Sequence, residues 1–386
     1  MTSVLEMDST YLLRREGAII KLNMGRATRS GVGTMPLFRT FATRLFLCNA
    51  LPVAVTDTYE SAAHRPNLVA LTSAQAARIE FDHSAKNVAA KGVSFHFKGT
   101  SFTAKARKEV VLSTGTLLTP QPLELSGIGN SDVLKKHQIT PKVDLPGVGE
   151  DYQDHILVST TYEVKQGFVT YDNLGYNDTF RAATEAQYSE KTHDGPMTAS
   201  NSMLSYIDLY SLASSGKIAH MHRSLWEDVK KEKPTLLQKE QTLWTQFRKA
   251  EYVIYLDYHV HSASILSWKH YPLLPPAIDP NYLSKQVDQS ILVESVKLAD
   301  KIAKAEPLAT MLVGDRTPDN IHTLHHPIGT AATMHKSVGG AVDEKLKVYE
   351  RVDASVIPMH LATHMQRTMY GIAEKAADII ISDWGF

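Results

Sequence analysis

The stretch that most constrains this fold is EVVLSTGTLLTPQPLELSGIG, Glu109 to Gly129. Apolar Val110–Leu112 reads as a strand that runs directly into Ser113-Thr114-Gly115, a turn of small residues. A strand that enters such a turn and then crosses over is what α/β folds place beside a bound ligand. The neighbouring chain is patterned to match. Asn67–Asp82 predicts a strand, a turn and a second strand, and Lys91–Phe97 with Ser101–Ala106 predicts a hairpin around Gly99-Thr100. Asn130, Ser131 and Asp132 are good caps for a short helix ending at His137, and Leu145–Tyr152 is a loop. Strands are expected near Val158–Tyr162 and Tyr252–Val260, and a charged helix over Leu236–Ala250. Val287–Pro307 predicts a helix with Ile291, Val296, Leu298 and Ile302 apolar, stopped by the proline. The last helix, from about Thr363 to Asp383, carries Met369, Ile372, Ala373, Ala376, Ile379 and Ile380 on one stripe. The first sixty or so residues show poor periodicity.

A chain of 386 residues has room for two domains or one large α/β unit. Lys+Arg and Asp+Glu both number 41, so the basic excess of a nucleic-acid protein is missing, and nothing suggests an anionic membrane partner. Cys48 stands alone, which excludes an intrachain disulfide. The most apolar early stretch, Leu45–Val55, is too short to span a bilayer. No signal-peptide pattern is visible at Met1, so location is left open.

HTLHHPIGTA, His322 to Ala331, gathers three of the 17 histidines. As a metal site it is weak: His360 and His364 are spaced i, i+4, but Leu361 stands where a zinc-protease helix needs Glu. No metal is expected. A serine hydrolase is equally disfavoured, because Ser126 in L-S-G-I-G lacks the first glycine of a nucleophile elbow. G-x-G occurs at Gly31–Gly33, Gly127–Gly129 and Gly147–Gly149, but Pro36, Asp132 and Tyr152 fill the sixth positions, so no G-x-G-x-x-G is complete.

Glu109 to His155 as a whole, ending GVGEDYQDH, resembles the second signature of the glucose–methanol–choline (GMC) flavin oxidoreductases through Gly115, Thr119-Pro120 and Ser126-Gly127-Ile128-Gly129. HPIGTAATM from His326 and RVDASVIPMHLATHMQRTMYG from Arg351 are similar to the family's C-terminal segment. PLLPPAIDPNYLSKQVDQSILVESVKLADKIA is similar to the piece that links the two, and HRPNLVALTSAQAARI to a cofactor-side strand pair. The likeness runs from about Tyr59 to Trp384 and is nearest the aryl-alcohol oxidase-like branch.

The resemblance implies an α/β fold, α+β overall. A FAD lobe would be assembled from 64–150 and 325–386, a substrate lobe of antiparallel sheet and helices would span 151–324, and 1–63 is left unplaced. It implies FAD as cofactor and a small-molecule alcohol as substrate, oxidised by hydride transfer from carbon to the flavin. His326 and His364 are then the catalytic pair, one imidazole taking the hydroxyl proton near neutral pH and the other holding the oxygen. Ser113, Thr114 and Gly115 match the turn beside the dinucleotide, Ala76 the adenine position, and Asp353, Ala354 and Met365 the segment that contacts the flavin. The start of the last helix would face the flavin with its partial positive charge. Family members open with a strand, G-x-G-x-x-G and a helix that hold the FAD diphosphate, and this sequence offers no counterpart. Asp151-Tyr152 replaces the usual Asn-Leu, and Pro122 takes an aliphatic position. A shortened chain with impaired FAD binding is therefore expected, and a non-catalytic remnant that binds a ligand or partner is the alternative.

Overall fold

The computed structural model describes residues 4–7, 31–33, 62–82, 88–170, 172–189, 195–198, 204–207, 209–229, 264–266, 273–315, 320–346, 353–361 and 365–385. Strands β1 (Val4–Met7) and β2 (Gly31–Gly33) precede β3 (Leu68–Leu71), β4 (Ala74–Asp82), β5 (Ala89–Phe97) and β6 (Thr100–Lys105). β4, β5 and β6 form an antiparallel sheet in that order, and β1 pairs antiparallel with β3. The β5–β6 turn places Lys98 and Gly99 at φ 48° and 78°. Two successive left-handed residues match the twist of the flanking strands, so the hairpin turns at Lys98-Gly99, one residue earlier than the sequence suggested. Phe95 stacks on Phe102 across the hairpin at 5.7 Å, a cross-strand pair that fixes the register. On β4, Ala74, Ala77, Ile79 and Phe81 face inward.

One expectation fails here. Val110–Leu112 forms no strand among the described residues, only an isolated bridge at Leu112. Burial does alternate here, with Val110 and Leu112 buried and Val111 exposed, but a strand also needs a ladder, and no flanking residue has one.

Helix α1 (Pro120–Leu125) follows, then β7 (Ile128–Gly129), α2 (Ser131–Lys136) and β8 (Val143–Asp144), with β7 and β8 parallel. Pro120 starts α1, where a missing N–H costs nothing. Asn130 caps α2 by accepting from the backbone N–H of Asp132 at 3.0 Å and Val133 at 3.3 Å. Ser126, once weighed as a nucleophile, has a structural role: its hydroxyl accepts from Ile79 N at 2.8 Å and donates to Pro122 O, joining α1 to β4.

The next elements are β9 (Ile156–Ser159), β10 (Glu163–Val164), α3 (Asp172–Tyr176), α4 (Asp178–Ser189), β11 (Leu204–Tyr206), α5 (Leu209–Leu212), α6 (Ser215–Val229), β12 (Ser264–Leu266) and β13 (Ala277–Asp279). They are followed by α7 (Gln286–Ala303), α8 (Leu308–Met311), β14 (Leu312–Val313), β15 (Asn320–Thr323) and α9 (Met365–Trp384). The strand expected at Val158–Tyr162 begins two residues earlier, at Ile156. The expected helix Leu236–Ala250 and strand Tyr252–Val260 lie outside the described residues. α7 ends at Ala303, before Pro307, and Ile302 is exposed where the stripe would have buried it. Ala373 on α9 is likewise exposed. Among the described residues no helix is long and apolar enough to cross a membrane.

Two apolar clusters organise this mixed helix-and-sheet chain. One joins Ile79, Phe81, Leu112, Leu123, Ile128, Leu145 and Val148 to Ala331 and Ala341, so residues far apart in sequence share one core. Each large side chain there contributes about 1.5–3 kcal/mol. The other packs α5 and α6 (Leu209, Ala213, Ile218, Met221) on Ile291 and Leu292 of α7, with Ile156 and Val158 of β9 against it. Glu294 on α7 accepts from Lys217 and Lys297, both at 2.8 Å.

These two ammonium groups, Lys217 first, hold the Glu294 carboxyl below its ordinary 4.5. A depressed folded-state pKa adds stability above the unfolded value, and that stability is lost as pH falls through the folded one. The denaturation midpoint should therefore drop on acidification below about pH 4.5, and Glu294→Gln should flatten that dependence. Urea titrations of both proteins across the acid range check this.

Candidate active site

The histidine turn is built by two pieces of backbone that run side by side and separate once. β15 pairs antiparallel with β9, Thr323 opposite Ile156, and Leu324 N donates to His155 O at 2.8 Å. Contact resumes where Ile328 N donates to Gln153 O at 2.9 Å and Gln153 N to Ile328 O at 3.1 Å. Between these contacts one side spans Asp154 alone, whereas the other spans His325, His326 and Pro327. The longer side must arch, and His326 stands at the crown. His325 takes φ 59° to begin the arch. Gly329, at φ 93°, closes it, and a Cβ there would overlap the carbonyl oxygen of Asp151. Glycine at the end of H-P-I-G is thus required twice over. His322 and His325 are exposed while His326 is half-buried, so the three clustered histidines have different surroundings.

Asp154 fills the arch and is 1% exposed. Its Oδ1 accepts the His326 backbone N–H at 2.9 Å. Its Oδ2 accepts from Tyr282 at 2.7 Å, from Tyr152 at 3.4 Å and from the Thr323 hydroxyl. The two phenols also meet at 3.2 Å. Burial pushes both phenols up from the usual tyrosine value. The Tyr282 hydrogen bond and the Asp154 charge add to this at Tyr152, and the bond to Asp154 adds to it at Tyr282. Both therefore stay protonated donors at working pH, as a carboxylate with so many donors requires.

Two further imidazoles complete the cluster. His155 Nδ1 lies 2.8 Å from His326 Nδ1, across 171 residues of sequence. The His155 ring packs on that of His360 with centroids 4.1 Å apart. His360 is buried, and its backbone N–H donates to Gln153 Oε1 at 3.3 Å. Gln153 in turn donates from Nε2 to Pro358 O at 3.0 Å. His360 precedes α9 and is not helical, so the i, i+4 spacing to His364 carries no helical meaning. His364 itself lies outside the described residues. His155, Asp154 and Tyr282 were not singled out from sequence, and His360 was weighed only as a metal ligand. The one available signal was the end of the Glu109–His155 signature, where Asp154-His155 follows a loop.

The second part of the candidate site is the Gly115 turn. Gly115 N donates to Asp353 Oδ2 at 3.0 Å, and Thr119 Oγ1 donates to the same oxygen at 2.7 Å. Ser355 N donates to Asp353 Oδ1 at 2.8 Å, and Thr114 and Thr119 hydroxyls meet at 2.9 Å. Asp353 therefore clamps the Gly115 turn with Oδ2 and caps its own 354–356 turn with Oδ1. Gly115 sits at φ 79° with nothing within 4 Å of where a Cβ would stand, so its backbone is open to a close-approaching ligand. Thr116 Oγ1 donates to Pro327 O at 2.7 Å, tying this turn to the histidine arch. Ala354 and Met365 pack on Ile328 and Ile357, just beyond the arch. Thr114, Gly115, Asp353, Ala354, Met365 and His326 thus form one connected unit. Ser113 is exposed beside it, whereas Ala76 lies half-buried on β4 without a direct link to the unit. Gly31–Gly33, the first G-x-G, is a strand paired with β11. Two surface grooves, around Lys217, His220 and Glu294 and around Tyr162, Asp300 and Lys304, share no residue with the unit.

Family models described as GMC oxidoreductase match residues 54–157 and 261–373, the two stretches that carry the arch, Asp154 and the clamped turn. The dehydrogenase ARMGADRAFT_1018426 of Armillaria gallica is 33% identical over 367 residues, which are 83% of this chain and 57% of that protein. Among solved structures, a FAD-dependent oxidoreductase from Chaetomium thermophilum superposes with TM-score 0.75 at 24% identity, covering 86% of this chain and 65% of that one. A fungal aryl-alcohol oxidase gives 0.73 at 23%, covering 86% and 64%; both show the shared fold. The chain spans 57% of the length of its Armillaria relative. With two family models on the segments that build its site and a shared fold around them, this chain belongs to the GMC oxidoreductase family.

Proposed function

We propose that this chain oxidises the CH–OH group of a small alcohol, with His326 as the base that takes the hydroxyl proton. In this reading, 64–150 and 325–386 make the FAD lobe and 151–324 the substrate lobe. FAD supplies the two-electron acceptor for the hydride that leaves the alcohol carbon. Gly115, lacking a side chain, would leave the cofactor room to approach, with Thr114 and Ser113 beside it. Asp353 keeps that turn in shape, Ala354 and Met365 line the flavin end, and Ala76 would lie toward the adenine. The turn fits such a ligand because it is built of small residues, which allow the close approach a flat ring needs.

The observation that carries the reading is the arch. His326 is raised out of a paired ladder, its main chain fixed on Asp154 Oδ1 at 2.9 Å and its Nδ1 on His155 at 2.8 Å. With Nδ1 donating to His155, Nε2 would be the atom for proton uptake. A neutral imidazole can accept a proton, and a fixed ring does so without a reorganisation cost. His364 would be the second imidazole, holding the substrate oxygen.

The test is spectroscopic. The purified protein, supplied with FAD, should retain flavin bands near about 450 nm through gel filtration. Anaerobic addition of a panel of primary alcohols should bleach them. Retained flavin that no alcohol bleaches would overturn the oxidation, and a protein that holds no flavin would overturn the cofactor site.

A further inference from the structure

Two imidazole nitrogens 2.8 Å apart must share one proton, since two lone pairs or two N–H groups would repel at that distance. For a neutral pair this leaves two arrangements. In one, His326 carries its proton on Nε2 and accepts at Nδ1, so Nε2 cannot take a proton. In the other, His326 donates from Nδ1 to His155 Nδ1, and its Nε2 is a base. The partner of an imidazole sets its tautomer, so the chemistry assigned to His326 depends on His155 accepting. We infer that His155 is a positioning residue for His326: its Nδ1 accepts the His326 proton and so keeps Nε2 of His326 as the base. This rests on the reading of His326 given above.

The surroundings suit the role. His155 is held at its carbonyl by Leu324 N at 2.8 Å, so the ladder that builds the arch also places the acceptor. Its ring is braced by His360 at 4.1 Å between centroids and meets His326 edge-on, at 76°. The arrangement also survives proton uptake. The His326 imidazolium still donates from Nδ1, now as a stronger, charge-assisted bond. The other titratable groups that face the pair are the Asp154 carboxylate, the His360 ring, the Tyr152 and Tyr282 phenols bonded to Asp154, and His325 next in the chain.

Ring-nitrogen NMR of histidine-labelled protein reads the tautomer directly, apart from activity. The wild type should show the His326 proton on Nδ1. His155→Phe keeps a ring but removes the acceptor, so His326 should shift toward Nε2–H. Its kcat should fall by about tenfold or more, with KM nearly unchanged and the acid limb of the kcat pH profile displaced. His155→Asn, whose Oδ1 stands near the former Nδ1, should restore the Nδ1–H signal and most of kcat. An Nε2–H signal for His326 in the wild type overturns the inference, and this holds even if circular dichroism finds the Phe variant misfolded. Identical tautomers in folded Phe and Asn variants also overturn it. If the tautomers respond as expected while His326→Ala keeps its reduction rate, the pairing is supported and the base assignment fails.

Discussion

His326→Ala is expected to slow alcohol-dependent flavin reduction by about 10²–10⁴-fold, the range that a positioned general base contributes. The fold should survive, because the arch is held through backbone atoms: His326 N on Asp154 at 2.9 Å, and Ile328 and Gln153 paired at 2.9 and 3.1 Å. The substitution removes the imidazole and leaves that ladder in place. KM should change little, since the missing group acts on the departing proton rather than on ground-state binding. The residual rate should rise steadily with pH as hydroxide replaces the base, whereas the wild-type rate should level off once His326 is neutral. Stopped-flow reduction across a pH series reads both features. A variant within about threefold of wild type at neutral pH would remove His326 from the chemistry.

Asp154→Ala is expected to carry the largest stability cost, about 3–5 kcal/mol. The carboxylate is 1% exposed and receives the His326 N–H and three hydroxyls. Alanine would take the carboxylate from all four donors, at about 1–3 kcal/mol for each that water cannot reach, while the two phenols keep each other at 3.2 Å. Asp154→Asn keeps one carbonyl oxygen as acceptor and should recover part of the loss. Urea denaturation followed by tryptophan fluorescence gives the ranking wild type, Asn, Ala. An Ala variant within about 1 kcal/mol of wild type would show that the network adds little beyond shape. Activity should fall in both variants, because the arch that presents His326 is anchored on this residue.

What the sequence made legible was local. The β5–β6 hairpin could be read because Gly99 marks a turn between two strand-like runs, although the turn itself lies one residue earlier than read. α2 could be read because Asn130 is a capping residue, and α9 because apolar residues recur at helical spacing. The Gly115 turn and Asp353 were each assigned to the cofactor by family signatures rather than by periodicity, and their direct contact was not legible. The His155–His326 contact was invisible, since nothing local marks a pair 171 residues apart. The role of Asp154 was hidden for the same reason: its donors come from residues 152, 282, 323 and 326, and only the first is near in sequence. The inward face of α7 was misjudged at Ile302 because a stripe marks a direction but not where the neighbouring helices end. Val110–Leu112 was read as a strand from its run of apolar residues, which reports burial and says nothing of a pairing partner.

The clamp between Gly115 and Asp353 bridges 238 residues, and the Thr116–Pro327 bond bridges 211. At ordinary translation speed, roughly 10–50 s pass between synthesis of the two ends of that clamp. Throughout that interval the early half of the first apolar cluster, with Phe81, Leu123 and Ile128, lacks the alanines that later cover it. A nascent chain of this protein is therefore a natural client for a ribosome-associated chaperone, and expression at lowered temperature with such a chaperone supplied should raise the soluble yield.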